Sequence, residues 1–398
     1  MPERGDRWAP VRAAGILAAV LLTGWARADA AAGKQAALEP RVRRIVDQYA
    51  APLINPANGK PSPKQAPGGI VGVYIREKTF YFPYGRIDEA GHPPTKDTLF
   101  GVGSVTKVFT TSVLGQRPEL FNQSITSGPL PPGYHLQPEE APVTFGQLAT
   151  FTGGVPRVPS NCGDNPVCDQ PLFVAFINGV KPGGGRLPAP NLYSNAGIGL
   201  LAQALMYRDG YKRFDGRDTT QWLSDHLFSS LGMQHTSYPS NADRAHPLAR
   251  AYDLQGGSYV RIVYAPWVPW GAAGRLFSTA EDMVRFIMAN VGVKRIDGKE
   301  IPEKVLGGMR QALLPRAEMT QADSSRRQGF AWVVWPEDPQ TGSRLRGKDG
   351  GLDGVSAYVA VNPELHYGVI VLLNKSGVDA PRAIDIMKAL QPLARQAS

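Results

Sequence analysis

The sequence predicts an α/β (α+β) fold: an antiparallel sheet flanked by helices, built from both chain ends, with an inserted mainly helical lobe. Three observations predict it. A β-rich hairpin pattern, GGIVGVYIREKTFYFPYG, stands at residues 68–85. Segments of helical period fill the middle of the chain. Strand-like runs return near the end, at Ala331–Trp335, Ser356–Val361 and Val369–Leu373. First and last segments pair most simply as one sheet, leaving a cleft between lobes, the usual place for a ligand site. The expected organisation is a leader over residues 1–30 and one unit over 31–398. Its α/β lobe comprises 31–103 and 265–398, and its helical lobe 104–264.

The elements follow in order. Residues 39–55 carry Val42, Ile45, Val46, Tyr49 and Leu53 at helical spacing. The hairpin turns around Arg76-Glu77-Lys78, and a polar connection leads to Leu99-Phe100. From Ser104 the pattern is helical, and a serine suits the N-terminal position of a helix. Residues 116–142 read as loop. The stretch VTFGQLATFTGGVP reads as a short helix capped by Gly153-Gly154, and 155–190 as a second Pro/Gly-rich excursion. Further helices begin near Asn195, span 219–231, and occupy STAEDMVRFIMANV, where Ser278 and Glu281 have capping-box spacing. A terminal helix begins near Pro381, and no internal repeat is visible.

The chain has 398 residues, 42% hydrophobic and 19% charged, with a formal charge of +9. Lysines and arginines are scattered among acids, so no basic run reads as a nucleic-acid tail, and no nucleic-acid partner is expected. The positive excess suits attraction to anionic substrates or cell-wall polymers. Arg4, Arg7 and Arg12 precede the apolar run Ala13–Thr23 and two Ala-x-Ala sites ending at Ala28 and Ala30. That is the pattern of a Sec-type signal peptide, too short to span a membrane. The expectation is a periplasmic or secreted protein with no membrane span after cleavage. A cut after Ala30 removes four arginines and three acids, taking the charge from +9 to +8. Cys162 and Cys168 are the only cysteines. In an oxidising compartment they are expected to form a local disulfide, the alternative being two free thiols. C-x5-C is not a zinc spacing, and no metal is expected.

Ser104-Val105-Thr106-Lys107 is the one S-x-x-K in the chain. So simple a pattern also arises by chance, and a helix start with a surface lysine is its plain reading. A serine hydroxyl needs a base to become a nucleophile, and a lysine three residues on lies on the same helical face. Buried near other cations, that lysine loses its proton readily. The G-x-S-x-G elbow is absent, and the histidines form no recognisable motif. Three further parts have candidates. Tyr193 and Asn195, in NLYSNAGIGL, offer a proton shuttle and a hydrogen-bonding group for a substrate amide. Lys348, in GKDGGLDGVSAY, offers a cation beside Gly350 and Gly351. The amides of Ser104 and Gly351 offer an oxyanion hole. Each has a plainer reading: Tyr193 as a core or surface residue, Lys348 as a solvated hairpin residue. Trp267 and Trp270 are either packing residues or cleft lining.

Taken together and in this order, these motifs resemble the serine β-lactamase and penicillin-binding family, in particular class C β-lactamases with their related D-peptidases and esterases. S-x-x-K at Ser104–Lys107, Y-x-N at Tyr193–Asn195 and a K-[T/S]-G-like triad at Lys348–Gly350 carry the resemblance. TFGQLATFTGGVP, LFSSLGMQHTSY, GAAGRLFSTAEDM and SAYVAVNPELHYGVIVLLNKS extend it over about residues 40 to 392. It implies a β-lactamase/transpeptidase-like fold with Ser104, Lys107 and Tyr193 catalytic. Asn195, Lys348, Asp349, Gly350 and Gly351 would bind substrate, and no cofactor is needed. The implied substrate is a β-lactam. A D-amino-acid peptide or a carboxylic ester is the alternative, and a non-catalytic penicillin-binding protein the more distant one. A monomer is expected. Asp349 departs from the family's threonine or serine and would repel a substrate carboxylate unless paired with Lys348 or protonated. Phe100-Gly101, Thr106 and the segment GQRPELFNQSITSGPLPPG also depart from the class C pattern.

Overall fold

Strand β1 (Gly68–Ile75) returns as β2 (Lys78–Gly85) through Arg76 and Glu77, both at positive φ, the two-residue turn whose twist matches paired strands. The structure, a computed structural model, describes residues 38–56, 59–136, 143–162, 168–181, 189–238, 246–264, 266–319, 325–378 and 382–396. The leader expected over 1–30 lies outside the described residues.

The remaining sheet strands come from the end of the chain: β3 (Ala317–Glu318), β4 (Arg327–Gln328), β5 (Val333–Val334), β6 (Arg346–Leu352), β7 (Val355–Asn362) and β8 (Tyr367–Leu373). All pair antiparallel in the order β2-β1-β8-β7-β6-β5-β4-β3. First and last segments therefore meet at the β1–β8 seam, where Gly69 faces Leu373 and Val71 faces Val371.

Both faces of the sheet are covered, which is why β1, β7 and β8 are buried along their whole length. Val71, Val73, Val369 and Val371 pack against α1 (38–50) and α9 (Arg382–Arg395) through Val42, Val46, Met387 and Leu390. Ile70, Val359, Ile370 and Leu372 face the larger core. That core includes α2 (Thr106–Gly115), α5 (Asn195–Arg208), α7 (Ala280–Asn290) and α8 (Glu303–Ala312). Between α2 and α5 lie α3 (Phe145–Ala149) and α4 (Gln170–Gly179). The helix expected over 219–231 starts earlier, as α6 (Gly216–Leu223) capped by Asp215, and runs through a π-turn at Ser224–Phe228.

The structure corrects several local expectations. Helix α1 stops at residue 50, and Pro52 confines the continuation to a 3-10 turn, Ala51–Leu53. Helix α3 ends at Ala149 and not at Gly153-Gly154, because Phe151 takes the left-handed conformation (φ 61°) and packs on Tyr193. Its start is a capping box between Thr144 and Gln147. Helix α4 lies in the second excursion, read as loop; Asp169 caps it, and Phe173 and Ile177 bury its inner face. The cap of α7 is Thr279, which accepts the Asp282 amide, and not Ser278. The Ser278 hydroxyl is engaged 2.8 Å from that of Thr236. The run Ala331–Trp335 contributes only Val333–Val334 as strand.

Candidate active site

Ser104 lies in a 3-10 turn, Gly103–Val105, that feeds directly into α2. Its hydroxyl does not cap the helix. It accepts a 3.0 Å hydrogen bond from the Lys107 ammonium, whose other acceptor is the Ala273 carbonyl at 2.5 Å. The i, i+3 spacing on one helical face makes the first contact local, whereas the second ties α2 to a segment 166 residues away. Thr110, one turn on, bonds the neighbouring Ala272 carbonyl at 2.8 Å. Thr106 binds the Gly103 carbonyl at 2.7 Å and so closes the turn.

Lys107 is fully buried, and burial with Lys348 nearby outweighs Tyr193 in bringing its pKa down from 10.5 to about 8. About a fifth of it is therefore neutral near physiological pH, far more than for an ordinary lysine, and that fraction is able to take a proton. Burial alone would raise the Tyr193 pKa, but Lys348 and Lys107 more than offset it, and the hydroxyl titrates below its ordinary value. The Lys107 and Lys348 ammonium nitrogens lie 4.7 and 5.1 Å from the Tyr193 ring centroid. The side chains of Ser104, Lys107 and Lys348 all act on the Tyr193 hydroxyl and favour its deprotonation. Ser104, Lys107, Tyr193 and Lys348 thus form one contiguous polar cluster, although 89 residues separate Ser104 from Tyr193 and 155 separate Tyr193 from Lys348.

Tyr193 is delivered by the segment before α5, which runs beside 150–152 through the Ala189 amide to Thr152 and the Leu192 amide to Phe151, both 2.8 Å. Ser194 caps α5 by accepting the Gly197 amide at 2.7 Å and donates to the Pro156 carbonyl. Asn195 is the first residue of that helix, half-buried, with its amide bonded to the Arg157 carbonyl at 2.8 Å.

Lys348 is a buried residue of β6, not a solvated hairpin lysine. Its ammonium donates to the Asp349 carboxylate at 2.6 Å and to the Asp349 carbonyl at 2.8 Å. The pair reinforces both charges. Burial lowers the Lys348 pKa, but Tyr193 and Asp349 together raise it more, while Lys348 draws Asp349 below the usual carboxylate range. The two ends of the pair differ in exposure, Lys348 at 2% and Asp349 at 63%. Asp349 is therefore ionised, paired with Lys348 and open to solvent.

The backbone of β6 presses on the Ser104 turn. Gly103 sits at φ 52°, and a Cβ there would stand 2.7 Å from the Gly351 nitrogen. A Cβ on Gly350 would collide with the Val102 carbonyl, whereas one on Gly351 would meet nothing within 4 Å. Two glycines thus let the turn and the strand approach, and the third leaves space beside the Gly351 amide. Gly101 is likewise close-packed: a Cβ there would lie 2.7 Å from a Val355 methyl.

Sequence reading missed the Ala273 carbonyl, the role of Gly103, and Arg157, whose guanidinium lies 5.2 Å from the Tyr193 ring. None has a local signal; each depends on a segment arriving from elsewhere in the chain. Trp267 and Trp270 are packing residues, the first bonding the Phe214 carbonyl at 2.9 Å and the second lying against Phe173. Cys162 and Cys168 are joined in a disulfide, their Cα atoms 5.3 Å apart. Two cavities of about 920 Å³ lie apart from the cluster, one beside Phe121 and Arg316, the other beside Tyr74 and His366.

The fold is that of the class C β-lactamases. The chain matches a class C beta-lactamase structure at a TM-score of 0.71 and 20% identity, over 88% of this chain and 96% of that one. It matches the class C beta lactamase of Rhodobacter sphaeroides at 0.69 and 20%, over 89% and 99%. Among curated sequences it is 27% identical to a Beta-lactamase of Yersinia enterocolitica, over 89% of this chain and 92% of the relative. It is 28% identical to one of Escherichia coli K12, over 88% and 94%. The Beta-lactamase family model matches residues 42–393, and the chain belongs to that family.

Proposed function

We propose that this protein is a serine hydrolase that opens β-lactam rings through an acyl-enzyme on Ser104. One observation carries the reading: a buried lysine, with its pKa brought down to about 8, hydrogen-bonded at 3.0 Å to the serine hydroxyl. Neutral Lys107 takes the Ser104 proton as Oγ bonds to the lactam carbonyl carbon. The amides of Ser104 and Gly351 hold the resulting oxyanion. Tyr193, whose ring lies 4.7 Å from the Lys107 nitrogen, relays the proton to the lactam nitrogen as the C–N bond breaks. Water then attacks the ester carbonyl, and Ser104 recovers its proton as the acid departs. Lys348 lowers the Tyr193 pKa and so eases release of its phenolic proton, and Asn195 binds the substrate's amide.

Membership of the family and this cluster together support hydrolysis over a merely binding role. Asp349 favours a second reading within the same chemistry, a D-amino-acid peptidase or carboxylesterase, because an exposed carboxylate at the site disfavours a substrate carboxylate. We further infer that the protein acts as a monomer in the periplasm or outside the cell; no helix among the described residues is long and apolar enough to cross a membrane.

Intact-mass spectrometry during incubation with a chromogenic cephalosporin, beside a Ser104→Ala control, tests the function. Rapid colour change with little adduct supports a β-lactamase. A persistent adduct on Ser104 indicates a penicillin-binding role. Neither adduct nor turnover removes the β-lactam and leaves D-amino-acid amides and short esters.

A further inference from the structure

Three cations surround the Tyr193 ring: Lys107 at 4.7 Å, Lys348 at 5.1 Å and Arg157 at 5.2 Å. Their situations differ. Lys107 is fully buried and committed to Ser104 and the Ala273 carbonyl. Lys348 is buried too, and its ammonium is bound to both the carboxylate and the carbonyl of Asp349. Arg157 is exposed, and among the described residues it forms no ion pair. Its position is nevertheless fixed, because its carbonyl accepts the Asn195 and Ala196 amides at 2.8 and 3.2 Å, the first turn of α5. The two walls of the site therefore carry opposite charge. The sheet wall presents the Asp349 carboxylate, and the helical-lobe wall presents the Arg157 guanidinium, which no acid among the described residues pairs.

We propose that Arg157, and not Lys348, holds the carboxylate of the substrate, with Asp349 turning that carboxylate away from the sheet wall. The proposal rests on the acyl-enzyme reading and specifies which substrates that site takes. An anionic group approaching Lys348 meets Asp349, a like charge already holding the ammonium. The Arg157 guanidinium, by contrast, offers a planar fork of donors matched to a carboxylate, and no acid among the described residues must first be displaced from it. Substrates of this site accordingly place an anionic group toward Asn195 and α5. They place a neutral or cationic group at Asp349.

The test compares a chromogenic cephalosporin with the methyl ester of its ring carboxylate, reading the acid-to-ester ratio of kcat/KM. In Arg157→Gln the ratio falls about tenfold, the size of one charge-assisted hydrogen bond, with the loss carried in KM. Arg157→Lys recovers part of it. In Asp349→Asn the ratio moves the other way, because the repulsion is gone. Far-UV circular dichroism shows that the variants remain folded, and colour change, or a Ser104 adduct where deacylation is slow, shows that they remain reactive. If both compounds acylate Ser104 but the ratio in Arg157→Gln stays within twofold of wild type, the assignment to Arg157 is wrong and the acyl-enzyme reading stands. If neither compound acylates wild-type Ser104, the β-lactam reading fails and this inference falls with it.

Discussion

Replacing Gly103 with alanine separates the nucleophile turn from strand β6 while leaving every candidate side chain in place. The added Cβ would stand 2.7 Å from the Gly351 nitrogen and 3.0 Å from the Gly350 carbonyl carbon, where ordinary contact starts at 3.4 Å. Relief along the shorter contact requires a movement of about 0.7 Å, and both neighbours are backbone that cannot swing aside as a side chain would. A further cost of about 1–2 kcal/mol comes from holding alanine at φ 52°, in the left-handed region. The same two stretches carry the amides proposed to bind the oxyanion. A displacement of this size from a productive geometry costs about 100-fold in rate. The expected result is kcat/KM for a chromogenic cephalosporin reduced about 100-fold, with unfolding free energy lowered by only about 1–3 kcal/mol in urea. Gly351→Ala is the stability control. Its Cβ meets nothing within 4 Å, so its urea midpoint should stay near wild type. A folded Gly103→Ala variant with kcat/KM within threefold of wild type would refute the argument that this close approach builds the site.

Three further predictions follow from other parts of the chain. Acylation of Ser104, followed before steady state, should rise with pH and level off above about 8, where Lys107 is neutral in the folded protein. Its folded pKa lies below the unfolded value of about 10.4, so the unfolded chain binds the extra proton, stability rises with pH between the two, and Lys107→Met removes that rise. Burial works against the Asp209 charge, but His226, Arg117 and Trp222 outweigh it and hold the carboxyl far below its usual range, the contacts being 3.0, 2.6 and 2.8 Å. Asp209→Asn should therefore cost about 3 kcal/mol in urea at pH 7, a difference that shrinks as pH falls below about 4 and the aspartate is lost through protonation. Reduction of the Cys162–Cys168 disulfide should add about 2 Da to the intact mass and lower stability by about 2 kcal/mol, the loop-closure value for so short a ring.

Legibility in the sequence followed the range of the interactions. The β1–β2 hairpin is readable because two β-rich runs and the turn between them are neighbours in the chain. Ser104 and Lys107 are readable because one helical turn brings them together. Helix α4 escaped because its surroundings are rich in proline and glycine, although Asp169 and the Phe173–Ile177 spacing were present as signals. Ser278 was chosen over Thr279 because both are good caps, and only the approach of Thr236 occupies the first of them.

Local order, then, is what the sequence determined by itself: which segments are strands or helices, where most of them begin, and which residue types recur in the family's spacing. The tertiary structure decided how Tyr193, Lys348, Arg157 and the Ala273 carbonyl converge on Ser104 and Lys107. It also decided that Asp349 pairs with Lys348 and that no acid among the described residues pairs with Arg157. Those outcomes depend on charges brought together across tens to hundreds of residues under the shared burial of one site. Desolvation there sets the protonation of Lys107, and no window of neighbouring residues contains that desolvation.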